Sequence, residues 1–220
     1  MKVSANRAAI QRGFTLVEIA IVLVIIGLLL GGILKGQEMI TQAKIKNVIN
    51  DFNGVTAAVN SYRDRYRTLP GDDKGATARW GAGIASGDGD GVIEGTYSAS
   101  TSTPVETQLF WLHLRQAGFV PGGGFEQPRN STAGLIGVQT GDGAGANALG
   151  TFSSLIMCST SVPDKVAGAV DTQMDDGLPN TGQMRAFTGA ANAAVPTATP
   201  TIANNAYGEA GATFNLCEPI

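Results

Sequence analysis

The chemistry open to this 220-residue chain lies in four places. The densest is the run Gly87-Asp88-Gly89-Asp90-Gly91-Val92-Ile93-Glu94, preceded by Gly71-Asp72-Asp73. Alternating Asp and Gly lets several carboxylates converge on a hard cation while the glycines allow the tight turn. Asp88, Asp90 and Glu94 are therefore candidate Ca2+ ligands, with Asp72 or Asp73 as outside help. The run lacks the full spacing and bidentate Glu of an EF-hand, and its plain alternative is a solvated turn between two strands. The second place is His113, the single histidine. It has no Ser-Asp or Cys partner nearby in sequence and reads as a partly buried helix residue rather than a catalyst. The third is the pair Cys158 and Cys217; with His113 they are too few for a Cys/His zinc site. No nucleophile elbow, zinc motif or phosphate loop occurs, so an enzyme is not expected. The fourth is Glu18, a lone carboxylate inside an apolar run.

That run positions Glu18 in an unusual solvent. Phe14 to Leu34 are 21 nearly continuous apolar residues, which as a helix span roughly 30 Å, the thickness of a bilayer's hydrocarbon core. Lys2, Arg7 and Arg12 precede it with no acidic residue, so residues 1–13 are expected in the cytoplasm and everything after Leu34 outside. A cleaved signal peptide fits poorly, because the apolar run is too long and no Ala-x-Ala site follows. A carboxylate near the start of a membrane helix costs a few kcal/mol on insertion scales (about 2.5–3.5 at the centre) and is a functional candidate by default. Its sequence neighbours offer it no partner on this reading, so the partner is expected from another chain.

Gly13-Phe14-Thr15-Leu16-Val17-Glu18 resembles the processing site of type IV prepilins and type II secretion pseudopilins. The resemblance covers the leader and first helix. It implies that a prepilin peptidase cuts after Gly13 and methylates the new amine of Phe14. It also implies that Glu18 neutralises the N-terminal ammonium of an adjacent subunit, an attraction strengthened by a low-dielectric helix bundle. The partners implied are other pilin subunits, the peptidase and inner-membrane assembly machinery. The location implied is the inner membrane first and the cell surface after assembly. Gly27, Gly31, Gly32 and Gly36 are read as a local loosening of the helix rather than a dimer motif.

Beyond the apolar half, Ile45, Val48, Phe52, Val55, Val59, Tyr62 and Tyr66 recur in steps of three and four, an apolar seam on one helix face. The helix is expected over 14–68, apolar to 34 and amphipathic over 35–68, ending before Pro70-Gly71. The remainder, 69–220, is expected to be a globular head. From Gly71 onward it carries six Lys/Arg against fourteen Asp/Glu, a net −8 that argues against capture of nucleic acid. Thr103-Pro104-Val105-Glu106 reads as a capping box opening a helix over 104–117. Short β-like runs follow at 133–138, 152–158, 166–170 and 213–217, with a surface loop at 186–212. Asn130-Ser131-Thr132 matches a glycosylation sequon, which carries little weight here. In an exported domain Cys158 and Cys217 read as a disulfide, the alternative being two buried thiols. The expected fold class is α+β: a long N-terminal helix packed against a small antiparallel sheet, pilin-like. The function expected is a structural filament subunit, minor or specialised given a processed length of 207 residues. The alternatives are a type II secretion pseudopilin and a membrane-anchored periplasmic domain binding Ca2+ or another ligand.

Overall fold

The computed structural model describes residues 15–97, 104–141, 152–188, 207–208 and 211–220. Gly13, Phe14, Thr103 and most of the 186–212 stretch lie outside them. The chain divides into two compact units, 1–42 and 43–220, and the first helix, α1 (Leu16–Tyr66), contributes to both.

In the first unit α1 is apolar on every side from 19 to 34, and its large side chains are exposed, Leu16 at 91% and Leu28 at 73%. Among the described residues it is the helix long and apolar enough to cross a membrane. It runs unbroken through Gly27, Gly31, Gly32 and Gly36.

In the second unit α1 shows one face to a core. Ile45, Val48, Phe52, Val55, Val59 and Tyr62 are buried while Lys46, Asn53 and Asn60 are exposed. The 3-4 spacing that puts the apolar residues on one stripe is what makes this half one-sided. The helix ends where Arg67 turns left-handed (φ 59°) with its N–H still donating to Arg63 O at 2.9 Å.

The core facing α1 comes from a four-stranded antiparallel sheet and two helices. The strands are β1 (Ile136–Thr140), β2 (Leu155–Pro163), β3 (Arg185–Thr188) and β4 (Thr213–Pro219), in the order β1-β2-β4-β3. The helices are α3 (Glu106–Gln116) and α4 (Asp164–Met174), and a short α2 (Ala76–Trp80) lies earlier in the chain. Alternation along β2 sorts the two faces. Leu155, Met157 and Val162 join the main core with Phe110, Trp111 and the α1 seam; Ile156 and Cys158 join a smaller cluster with Tyr97, Phe152, Phe187 and Cys217. Gly137 in β1 is required bare, because a Cβ there would stand 1.8 Å from Tyr97 O.

Three local expectations are corrected. The run 166–170 is not a strand but the middle of α4. Its valines favour β structure, yet Val166, Ala167 and Val170 are spaced to lie on one helical face, and those three are buried. Residues 185–188, placed mostly in a surface loop, form β3 and pair with β4 from Arg185↔Cys217 to Thr188↔Phe214. Finally, α3 starts at Glu106 with Val105 as its N-cap, two residues beyond the expected Thr103, which lies outside the described residues. Glu106 is engaged elsewhere: its carboxylate accepts the N–H groups of Asp88 and Glu94, each at 3.1 Å.

If the seam is the main contribution of α1 to the head, Phe52→Ala should lower head stability by about 3–5 kcal/mol. Asn53→Ala, one residue away on the exposed face, should stay within about 0.5 kcal/mol. Urea unfolding followed by tryptophan fluorescence measures both.

Candidate functional site

At the N-terminal end of α1, Glu18 has a partner within its own chain. Its Oε2 accepts the Thr15 backbone N–H at 2.8 Å and the Thr15 hydroxyl at 2.7 Å. The Thr15 hydroxyl in turn accepts the Glu18 N–H at 3.2 Å. This is a reciprocal capping box, with Thr15 at the N-cap and Glu18 three residues on. The expectation that sequence neighbours offer Glu18 nothing is therefore overturned. The signal was available, since Thr15-Leu16-Val17-Glu18 has the Ser/Thr-x-x-Glu form that precedes an apolar helix. Gly13 and Phe14 lie outside the described residues.

The acidic run is brought together in part. Asp72, Asp88 and Asp90 each place a carboxylate oxygen within 4.8 Å of the others, and Glu94 does not join them. Each of the three also organises the loop itself. Asp72 accepts Gly89 N–H at 2.6 Å and Gly91 N–H at 2.9 Å, Asp88 accepts Asp90 N–H at 3.1 Å, and Asp90 accepts Val92 N–H at 2.8 Å. These bonds account for the convergence without calling on a cation. Glu106 sits beside the group: burial pushes its carboxyl up, the Glu94 and Asp88 N–H groups work against that, and the charges of Asp72 and Asp88 add to it.

Asp73 turns the other way, into the head. It is 2% exposed; its Oδ2 accepts the Tyr62 hydroxyl and an Arg79 N–H, both at 2.5 Å, and its Oδ1 accepts Gly75 N–H at 2.8 Å. Arg79 lies over the Tyr66 ring, 4.3 Å from its centroid, and over Trp80 at 4.9 Å. Burial pushes the Asp73 carboxyl up, but its bonds from Arg79, Tyr62 and Gly75 outweigh that and hold it below its ordinary 3.8. Sequence reading gave this residue a weak place among cation ligands. Its real role needs Tyr62 from α1 and Arg79 from α2, a pairing no local spacing reveals.

His113 is fully buried. Its Nδ1 accepts Gly71 N–H at 2.9 Å, so the proton resides on Nε2, which donates to Ala85 O at 2.8 Å. Cys158 and Cys217 are directly opposed on β2 and β4 and form a disulfide. A loop of this length stabilises by roughly 4 kcal/mol in the chain-entropy account. Asn130 of the sequon is buried, its amide donating to Ser159 Oγ at 2.8 Å and Thr160 O at 2.7 Å, so it serves the fold and offers no acceptor for a glycan.

Residues 9–34 match the prokaryotic N-terminal methylation motif. The chain carries that methylation motif. It is the hallmark of type IV pilin and pseudopilin precursors. Neither a search of curated proteins nor one of solved structures returns a match.

Breaking the Asp73 hub should show in stability. Asp73→Asn should cost roughly 2–4 kcal/mol by removing the carboxylate that Arg79 and Tyr62 face. The pH sign follows from the lowered carboxyl: its contribution is complete above the unfolded value near 3.8 and is lost as pH falls through the folded value. Acid unfolding curves should therefore be shallower below pH ~4 in Asp73→Asn than in the wild type.

Proposed function

We propose that the chain is a type IV pilin-like structural subunit, made as a single-pass membrane precursor and built into a filament through α1. The observation that carries this reading is the methylation motif at residues 9–34, laid on a helix exposed and apolar on all sides. Prepilin peptidase cuts between Gly13 and Phe14 and methylates the amine of Phe14. The leader stays cytoplasmic, the head is exported, and the protein is the substrate of an enzyme rather than one itself.

Assembly then follows from charge in a poor dielectric. Cleavage creates an ammonium at Phe14, and Glu18 of an adjacent subunit is the carboxylate that neutralises it. Inside a bundle of apolar helices an unpaired charge is strongly disfavoured, so the pairing sets the axial stagger of subunits. Glu18 also accepts two bonds from Thr15 in its own chain, which lowers the cost of holding a carboxylate at that depth before assembly. A disulfide closing the C-terminal strand of an exported head fits a pilus subunit, minor or specialised. A secretion pseudopilin is the sister reading.

In a filament-forming cell, Glu18→Val should leave cleavage intact and lower the subunit's content in sheared filaments about tenfold or more, equivalent to losing ~1.4 kcal/mol per contact. Quantitative immunoblotting of sheared and membrane fractions reads both. Undiminished incorporation would remove Glu18 from its assigned role.

A further inference from the structure

The segment 71–85 meets α3 through one side chain at both of its ends. Gly71 at one end donates its N–H to His113 Nδ1, and Ala85 at the other accepts from His113 Nε2. Between them Asp73 ties the segment to Tyr62 of α1, and Asp72 extends the tie to Gly89 and Gly91. Residues 71–85 thus form an arm bonded to α3 through a neutral imidazole, while Asp88 beyond it donates its N–H to Glu106 at the start of α3.

We propose that His113 is an acid-release clasp, whose neutral ring docks the 71–85 arm onto α3 and whose protonation frees that arm while the disulfide-closed sheet stays folded. A doubly protonated imidazole is a donor at both nitrogens. Nδ1–H would then face the Gly71 N–H, another donor, across a contact now 2.9 Å long. The new charge would be buried between Tyr62, whose ring stacks at 6.5 Å, and Trp80 at 5.9 Å.

The titratable and charged groups facing the ring are Tyr62 from α1 and Asp73 and Arg79 from the arm. Asp73 favours a charged ring and Arg79 opposes it, and these two are paired with each other at 2.5 Å. Burial is the larger influence and pushes His113 below its ordinary 6.5, against the bond to Ala85 O and the charge of Asp73. The sign is that of a depressed group: the clasp is complete above 6.5, where folded and unfolded chains are both neutral, and is lost as pH falls through the folded value. The freed arm uncovers Tyr62, the last buried residue of the α1 seam, and carries Asp72 away with it. In the sheet, Cys158 and Cys217 at its centre are joined and do not titrate, and the carboxyl of Glu218 in β4 is pushed up by burial and by the charge of Asp175, so acid favours its buried form.

The test is hydrogen–deuterium exchange on the full chain in detergent micelles, at about pH 7.5 and about pH 4.5, corrected for intrinsic exchange rates. Protection across 71–85 should fall about tenfold or more between those conditions relative to β2 and β4. His113→Gln, which keeps a donor and an acceptor but does not titrate, should abolish the difference. An arm equally protected at both pH values in the wild type, or an equal loss in His113→Gln, overturns the proposal. Should the Gln variant fail to fold, NMR of the wild type decides: the single imidazole and the Gly71 amide should titrate together, below 6.5. A Gly71 amide that does not move as the imidazole titrates overturns it equally.

Discussion

Everything in this molecule depends on α1 satisfying two solvents with one backbone. A helix in hydrocarbon must pair all its backbone groups internally and present apolar side chains in every direction. A helix on a water-soluble domain may bury only one stripe. Residues 16–34 meet the first condition and residues 45–62 meet the second, without a break in the hydrogen-bond ladder. Glu18 is the exception in the apolar half, and the exception is handled locally. Its carboxylate takes the helix-terminal N–H and hydroxyl of Thr15, groups that would themselves lack partners in lipid.

The head solves a different problem, a shortage of charge and an excess of glycine. With long loops and few side chains to pin them, buried polar groups do the pinning. Asp73 ties the chain after α1 back to Tyr62 and Arg79, and His113 ties two separate backbone points to α3. Asn130 does the same for the turn before β1, and the disulfide ties the last strand to the centre of the sheet. Each is a group whose burial is costly unless its bonds are complete, so each specifies one loop path over its competitors.

The parts legible in advance were those written in periodicity or in a contiguous motif. The α1 seam announced itself by steps of three and four, the apolar half by its length, and the two cysteines by being a lone pair in a domain expected outside the cell membrane. What escaped was written across the chain or in two codes at once. Val166 and Val170 have β-favouring side chains at helical spacing, and the spacing decided, because Val166, Ala167 and Val170 can all turn to the core from one face. Strand β3 has few strong strand residues of its own and exists because β4 offers it an edge. Asp72 and Asp73 look identical in sequence, yet one gathers the 89–91 turn and the other enters the head. Glu106 serves the loop at 88–94, whose Asp88 and Glu94 N–H groups its carboxylate accepts. Thr15 is legible in two codes, since the same six residues that spell a processing site also spell a helix cap.

The central claim is that the first thirteen residues are a removable leader and that Phe14 is the working N-terminus. Intact-mass spectrometry of the chain recovered from a cell containing prepilin peptidase tests it most directly. The account predicts a mass lacking residues 1–13 and carrying one added methyl group on the Phe14 amine. A chain that retains its leader in the presence of active peptidase would contradict it, and would leave α1 as a permanent membrane anchor.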